Sequence, residues 1–167
     1  IIRDKIRNLR LTTSDEIIVY LPTYSPSNLI KIINKLTVKK RWTIFSLDAK
    51  KKEKIFGVNV EPLSEDIFLK KFAACYGIVC AGGFATTSEA IFLGKPMIVV
   101  PVEGQIEQQF NAAALKQEGV TVIDKFSDKN INIISNWISS PRVLEIKYED
   151  ESKKIVKTIL EDYSNLN

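Results

Sequence analysis

The regular alternation of strand-like and helix-like segments is the feature that most constrains how this chain can fold. β-rich runs cover residues 16–22, 41–47, 56–63, 76–83, 95–101 and 120–124. Helical patterns cover residues 25–36, 64–75, 85–94, 105–119, 127–140 and about 149–163. Strands that alternate with helices predict a parallel sheet covered on both faces and joined by right-handed crossovers. We therefore predict a Rossmann-like, three-layer α/β/α fold with a six-stranded parallel sheet.

Length and cysteine content point to one soluble domain. The chain has 167 residues, of which 45% are hydrophobic and 26% charged, as in ordinary globular proteins. No apolar run approaches the roughly 20 residues of a membrane span, and the opening "IIRDKIRNLRL" has no signal-peptide pattern. Cys75 and Cys80, with four residues between them, have no metal or redox spacing and are expected to be buried free thiols. These features predict a cytoplasmic protein.

The charge pattern excludes several classes of function. The net charge of +4 comes mainly from lysine clusters at residues 38–41 and 49–54. Aromatic residues for base stacking do not interleave with them, so we interpret both clusters as solvated loops and expect no nucleic-acid partner. The chain contains no histidine, which excludes histidine zinc ligands and histidine general bases within it. No metal-ligand cluster is apparent, and we expect neither a metal nor another cofactor.

Three loops at the predicted carboxyl edge of the sheet carry polar or glycine residues suited to a ligand. After the fourth strand, residues 82–88 read Gly-Gly-Phe-Ala-Thr-Thr-Ser, which would let a phosphate approach backbone amides and hydroxyls. After the fifth strand, residues 102–108 are rich in carboxylates and amides that suit a polyol. After the third, residues 61–63 could pair with the edge of a base. Ligands bind at this edge in open α/β sheets.

Together these loops resemble a known family. The stretch "CAGGFATTSEAIFLGKPMIVVPVEGQIEQQFNAAAL" is similar to the donor-binding half of GT-B glycosyltransferases. It most resembles glycosyltransferase family 28, which includes the UDP-GlcNAc transferase of peptidoglycan-precursor synthesis. The resemblance is strongest over residues 76–119. It implies a hexosyltransferase that uses a nucleotide sugar, with a UDP-sugar favoured as the donor.

The resemblance also implies roles for individual residues. Glu89 matches the acid that accepts hydrogen bonds from both ribose hydroxyls; as an alternative, a Glu there could simply stabilise the helix dipole. Asn111 is expected to fix the local backbone. The donor diphosphate is assigned to Gly82, Gly83, Phe84, Thr86, Thr87 and Ser88, the donor sugar to Gln105, Glu107 and Gln108, and the base to Glu61, Pro62 and Leu63.

The same resemblance indicates that this chain is one half of a GT-B fold. We expect residues 1–15 to form an interdomain connection and residues 16–145 the donor-binding domain. Residues 146–167 should form a C-terminal helix that packs on an N-terminal acceptor domain. The catalytic base would belong to that absent domain, so we predict no catalytic residue here. Ala81 stands where many relatives carry a histidine, so amides and hydroxyls must meet the diphosphate charge.

Several alternatives stay open at this stage. The chain could be an excised domain or a natural subunit of a split transferase. It could be a non-catalytic nucleotide-sugar-binding module, or an enzyme similar to the UDP-sugar epimerases that share this fold. The full-length enzyme could also associate peripherally with the cytoplasmic face of a membrane.

Overall fold

The computed structural model describes residues 2–146 and 151–164. Its centre is a seven-stranded sheet in which the strands lie in the order β3-β4-β2-β1-β5-β6-β7. Every neighbouring pair is parallel except β3 and β4. The strands are β1 (Glu16–Tyr20), β2 (Arg41–Ser46), β3 (Glu53–Ile55), β4 (Val58–Pro62), β5 (Gly77–Cys80), β6 (Met97–Val99) and β7 (Thr121–Val122).

The predicted strand count of six is wrong by one, because the third predicted strand is half of a hairpin. Strand β3 pairs antiparallel with β4 across the two-residue turn Phe56-Gly57. Both turn residues have positive φ, 46° and 87°, which suits a tight turn between twisted strands. Residues 53 and 54 of the predicted lysine-rich loop therefore belong to this edge strand, although their side chains stay largely exposed.

All the predicted helices are present in the described residues. The predicted segment 127–140 is a 3₁₀ turn at Asp128–Asn130 followed by a helix, and positions 149–150 of the last predicted helix lie outside the described residues. None of the described helices is long and apolar enough to cross a bilayer. The helices are α1 (Asp4–Arg7), α2 (Pro26–Ile33), α3 (Glu65–Ala74), α4 (Phe84–Phe92), α5 (Ile106–Gln117), α6 (Ile131–Ser139) and α7 (Ser152–Ser164).

The sheet separates two hydrophobic cores, which confirms the three-layer prediction. On one face, α2 and α6 bury residues such as Leu29 and Ile134 against β1 and β6. On the other face, α1, α3, α4 and α5 pack on the same strands through residues such as Phe72 and Ala90. Because both faces are covered, the central strands are almost wholly apolar.

The segment before β1 is part of the second core. Ile6 of α1 is completely buried and Ile2 nearly so, and both pack against residues of α3 and α4. The residues predicted to connect two domains thus lie on the face that carries α4. This placement brings Arg3 to the carboxyl edge of the sheet.

Both cysteines are buried free thiols, as the sequence predicts. Burial raises the pKa of each thiol to about 12. Since the thiolate is the reactive form, neither cysteine is a nucleophile at neutral pH.

Candidate functional site

The path of the chain through the sheet creates a crevice between β1 and β5. The chain runs outward from β1 through β2 to β4, and then returns to place β5 on the other side of β1. At such a switch point the loops that follow the two strands diverge, and ligands of open α/β sheets bind there. The loop that follows β5 is the Gly82-Gly83 turn.

The turn after β5 leads into the N-terminus of α4. Gly83 is the N-cap residue, with φ of −68°, and the space around its α-carbon is open. The amide of Thr87 donates to the Gly83 carbonyl at 3.3 Å, so the amides before it, those of Phe84, Ala85 and Thr86, precede the first helical bond. Free amides and the positive end of the helix dipole favour an anion at this position.

Gly82 allows α5 to pack directly against this turn. A β-carbon at residue 82 would lie 2.6 Å from the carbonyl oxygen of Gln108, closer than any real contact. The side-chain amide of Asn111 also donates to the Gly82 carbonyl at 3.0 Å, which confirms its predicted role in fixing the backbone. The N-terminal turns of α4 and α5 are therefore held next to each other.

Two of the residues assigned to the diphosphate do not present free groups to it. The Thr87 hydroxyl lies within 3.1 Å of the carbonyl oxygens of Gly83 and Phe84, and its amide bonds Gly83 as well. Ser88 is buried within α4. The helix begins at Phe84, one residue earlier than the sequence pattern predicts. Gly83, Phe84 and Thr86 remain at the start of the helix.

Glu89 is the sixth residue of α4, so it lies beyond the first turn, where a carboxylate would interact most with the helix dipole. Its side chain is only 4% exposed. Both carboxylate oxygens accept hydrogen bonds from Arg3, at 2.6 Å from Nε and 3.0 Å from Nη2. This bidentate pairing is the strongest geometry that an arginine and a carboxylate adopt. Glu89 is therefore an oriented, ion-paired carboxylate.

Arg3 belongs to a small charged cluster above Glu89. Its Nη1 donates to Glu65 at 3.0 Å, and Lys5 donates to the other oxygen of Glu65 at 2.6 Å. Hydrogen bonding to Glu89 raises the pKa of the Arg3 guanidinium. Sequence reasoning missed Arg3, because a contact between residues 86 positions apart leaves no local pattern.

The residues assigned to the donor sugar lie at the start of α5. Gln105 is the N-cap residue and Glu107 is in the first turn, and both are exposed. Gln108 is half-buried, and its Oε1 accepts a hydrogen bond from the Val102 amide at 3.0 Å. The Gln108 side chain therefore also holds the loop between β6 and α5.

The residues assigned to the base stand further along the same edge. Pro62 ends β4, and Leu63 is exposed beyond it. Strands β2 and β1 separate β4 from β5, which puts the two loops roughly 14 Å apart at ordinary strand spacing. A ligand that touched both loops would have to lie across the ends of β1 and β2.

Glu61 belongs to a buried charge network beneath this loop. Its Oε1 lies 3.0 Å from Lys52 Nζ and 3.7 Å from Lys71 Nζ, but neither makes a well-directed hydrogen bond to it. Lys71 also bonds both oxygens of Glu16, at 2.8 and 2.9 Å. Burial alone would raise the pKa of Glu16, but hydrogen bonds from Lys71 and Thr43 outweigh it and hold that pKa below its usual value.

Replacing Lys71 with methionine is expected to destabilise the domain most at neutral pH. Glu16 would lose the cation that bonds both of its carboxylate oxygens, at a cost of about 1–2 kcal/mol. The lowered pKa of Glu16 means that its ion pair stabilises the fold above the ordinary glutamate range, and that this stability is lost as pH falls through the lowered value. Urea unfolding at pH 7 and pH 3 should therefore show a smaller difference from wild type at pH 3. An equal difference at both pH values would contradict this account.

The described part of the chain contains no cluster of three or more His, Cys, Asp or Glu residues arranged to hold a metal ion. The polar groups at the sheet edge are instead backbone amides, side-chain hydroxyls, side-chain amides and ion-paired carboxylates. Donors of this kind suit anionic oxygens, and acceptors of this kind suit hydroxyl groups.

A protein-family model described as "Glycosyl transferase family 1" matches residues 1–141. The chain therefore belongs to glycosyl transferase family 1. No curated protein matches the sequence. The comparison supports the predicted class and the predicted half of a GT-B fold, but not the specific assignment to family 28.

Solved glycosyltransferases share the fold at low sequence identity. Spinosyn forosaminyltransferase SpnP is 15% identical with a TM-score of 0.53, over 96% of this chain and 47% of its own. SnogD from Streptomyces nogalater is 15% identical with a TM-score of 0.51, over 93% and 46%. The glycotransferase of kitacinnamycin is 17% identical with a TM-score of 0.54, over 76% and 34%. The chain thus spans less than half the length of these structures.

Proposed function

We propose that this chain is the donor-binding half of a glycosyltransferase that transfers a hexosyl group from a nucleotide sugar, with UDP as the favoured nucleotide. The observation that carries the proposal is the N-terminus of α4, where an open Gly83 and free amides border the switch point between β1 and β5. In a chain of this family, the anion with the best fit is the donor diphosphate.

The proposed chemistry is stabilisation of the leaving group. As the sugar–oxygen bond breaks, negative charge builds on the diphosphate, and amides aimed at that charge lower the barrier. The amides of Phe84, Ala85 and Thr86, with the helix dipole, supply this effect. Because Ala81 offers no side-chain donor, the backbone amides must stabilise the charge on the diphosphate. Activation of the acceptor is left to residues outside this chain.

Exposed apolar side chains support a second, acceptor-binding domain. Phe84, Ile106 and Phe110, in the N-terminal halves of α4 and α5, are 56–73% exposed. Helix α7 also exposes apolar residues on an amphipathic pattern, namely Ile155, Val156, Ile159, Leu160 and Tyr163. Apolar groups of this kind mark interfaces. We propose that an N-terminal domain covers them in the whole enzyme, which works in the cytoplasm, with peripheral membrane contact if the acceptor is lipid-linked.

The isolated chain is expected to bind UDP or a UDP-sugar and to transfer nothing. A thermal-shift screen of nucleoside diphosphates and nucleotide sugars tests the first part, since a ligand at 100 times its dissociation constant adds about 2.7 kcal/mol of stability. A radiolabelled donor incubated with sugar acceptors tests the second part. Absence of any nucleotide-dependent shift would contradict the proposal. Binding with no transfer even after the N-terminal half is added would indicate a non-catalytic module.

Gln108 is proposed to recognise the donor sugar rather than the nucleotide. Gln108→Ala should lower affinity for the correct UDP-sugar by about 1–3 kcal/mol, the cost of leaving a polar partner unpaired, and lower UDP affinity much less. Paired calorimetric titrations measure both values. Because Gln108 also bonds the Val102 amide, an equal loss for both ligands would assign it to loop support alone. Glu107→Ala is the matched variant at the neighbouring residue that is also assigned to the donor sugar. Glu107 is exposed, whereas Gln108 is half-buried and bonds the loop.

A further inference from the structure

We propose that Arg3 is a positioning residue for the donor ribose, acting through Glu89. The inference deepens the proposed function and rests on it: if Glu89 accepts the ribose hydroxyls, Arg3 determines how its carboxylate is presented. Nothing in the resemblance assigns Arg3 a role. Its evidence is the geometry of the pair.

The carboxylate of Glu89 is held rigidly by Arg3. One guanidinium nitrogen bonds each oxygen, at 2.6 and 3.0 Å. Two parallel bonds fix the plane of the carboxylate as well as its position, which a single contact from a lysine could not do. The Glu89 side chain is 4% exposed and that of Arg3 is 49% exposed, so the arginine lies between the carboxylate and solvent, and the proposal requires the ribose to reach the carboxylate beside the guanidinium.

The pairing leaves acceptor capacity that suits a vicinal diol. An ionised carboxylate has about four lone-pair positions and no donor. Arg3 occupies one position on each oxygen, which leaves one on each. A ribose presents two adjacent hydroxyl donors, and each can bond a different oxygen. The guanidinium holds the carboxylate in one plane, which lowers the ordering cost at that group when the ribose binds.

The position of Arg3 is itself fixed by the fold. Ile2 and Ile6, on either side of it, are buried against α3 and α4. Its remaining guanidinium nitrogen bonds Glu65, the first residue of α3. Arg3 is thus anchored mainly through its backbone neighbours, because the exposed ion pair with Glu65 contributes little. These anchors make it a stable support for Glu89.

The test compares UDP with 2′,3′-dideoxyuridine diphosphate, which has the same phosphates and lacks both hydroxyls. Arg3→Ala should weaken UDP binding about tenfold, the lower end for a hydrogen bond to a charged group, and leave binding of the dideoxy ligand unchanged. Arg3→Lys should restore only part of the affinity. Lys5→Ala is the matched control, because it removes a nearby charge that bonds Glu65 and not Glu89. It should affect neither ligand.

A double-mutant cycle separates this role from a structural one. In a Glu89→Ala background, Arg3→Ala should have no further effect on UDP affinity. Equal weakening of both ligands would place Arg3 on the phosphates and overturn the inference, and unchanged affinity for both would make it a structural tether and also overturn it. If Arg3→Ala does not fold, Arg3→Gln takes its place. A wild-type chain that binds neither ligand would overturn the proposed function itself.

Discussion

Gly82→Ala is expected to destabilise the domain by about 3 kcal/mol or more, at the upper end of the cost of overpacking. The added carbon would lie 2.6 Å from the backbone oxygen of Gln108. Because that oxygen belongs to a helix, it cannot rotate away as a side-chain atom could, and α5 would have to move. The hydrogen bond from Asn111 to the Gly82 carbonyl would be disturbed as well. Urea denaturation measures the loss.

Gly83→Ala is the matched variant one residue later. No atom lies within 4 Å of a β-carbon at residue 83, and its φ of −68° suits alanine. The unfolding free energy should change by less than about 1 kcal/mol, the typical cost of alanine at an N-cap. Affinity for UDP should fall clearly, because the methyl group would enter the space proposed for the diphosphate. A stable Gly82→Ala domain would contradict the close packing of α5 on Gly82. Full UDP affinity in Gly83→Ala would contradict the proposed diphosphate site at Gly83.

Glu89→Ala is expected to weaken nucleoside diphosphate binding by about 1.5–3 kcal/mol, the range for hydrogen bonds to a charged group. The ribose hydroxyls lose their acceptor, and Arg3 loses the partner that orders it. The fold should survive, since the freed guanidinium is half exposed and can be hydrated. Isothermal titration with UDP measures the affinity, and thermal unfolding monitors the fold.

Glu65→Ala is the control for this variant. Glu65 bonds the same arginine but is itself 47% exposed, and exposed ion pairs contribute little. UDP affinity should therefore change little in this variant. If Glu89→Ala and Glu65→Ala behave alike, Glu89 is a structural ion-pair residue and the ribose assignment fails.

The fold could be predicted from the sequence because its signals are local. Alternating strand and helix patterns, apolar central strands and helix boundaries all lie within short windows of residues. The edge hairpin was the exception. Its turn is Phe56-Gly57. Because a bulky residue rarely takes a positive φ, the sequence pattern predicts that both residues belong to the strand at 56–63.

Only those parts of the site that follow from local backbone structure could be predicted from the sequence. Gly82, Gly83 and Asn111 lie where the pattern indicated, because glycine turns and helix starts follow from neighbouring residues. The Thr87 hydroxyl bonds carbonyl oxygens of the turn before it, and this arrangement depends on where α4 begins, which the sequence pattern places only to within a residue or two. The partner of Glu89 could not be found in this way, because Arg3 reaches it through tertiary packing alone.

The central claim is that a nucleoside diphosphate binds at the N-terminus of α4. Titration of the ¹⁵N-labelled chain with UDP, followed by amide NMR, tests it most directly. The account predicts the largest shifts at the amides of Gly83, Phe84, Ala85 and Thr86, with smaller shifts at Glu89 and in the loop before α5. Shifts confined to the lysine-lined pocket of Lys31, Lys35 and Lys129 between α2 and the 3₁₀ turn, or no saturable shifts at all, would contradict it.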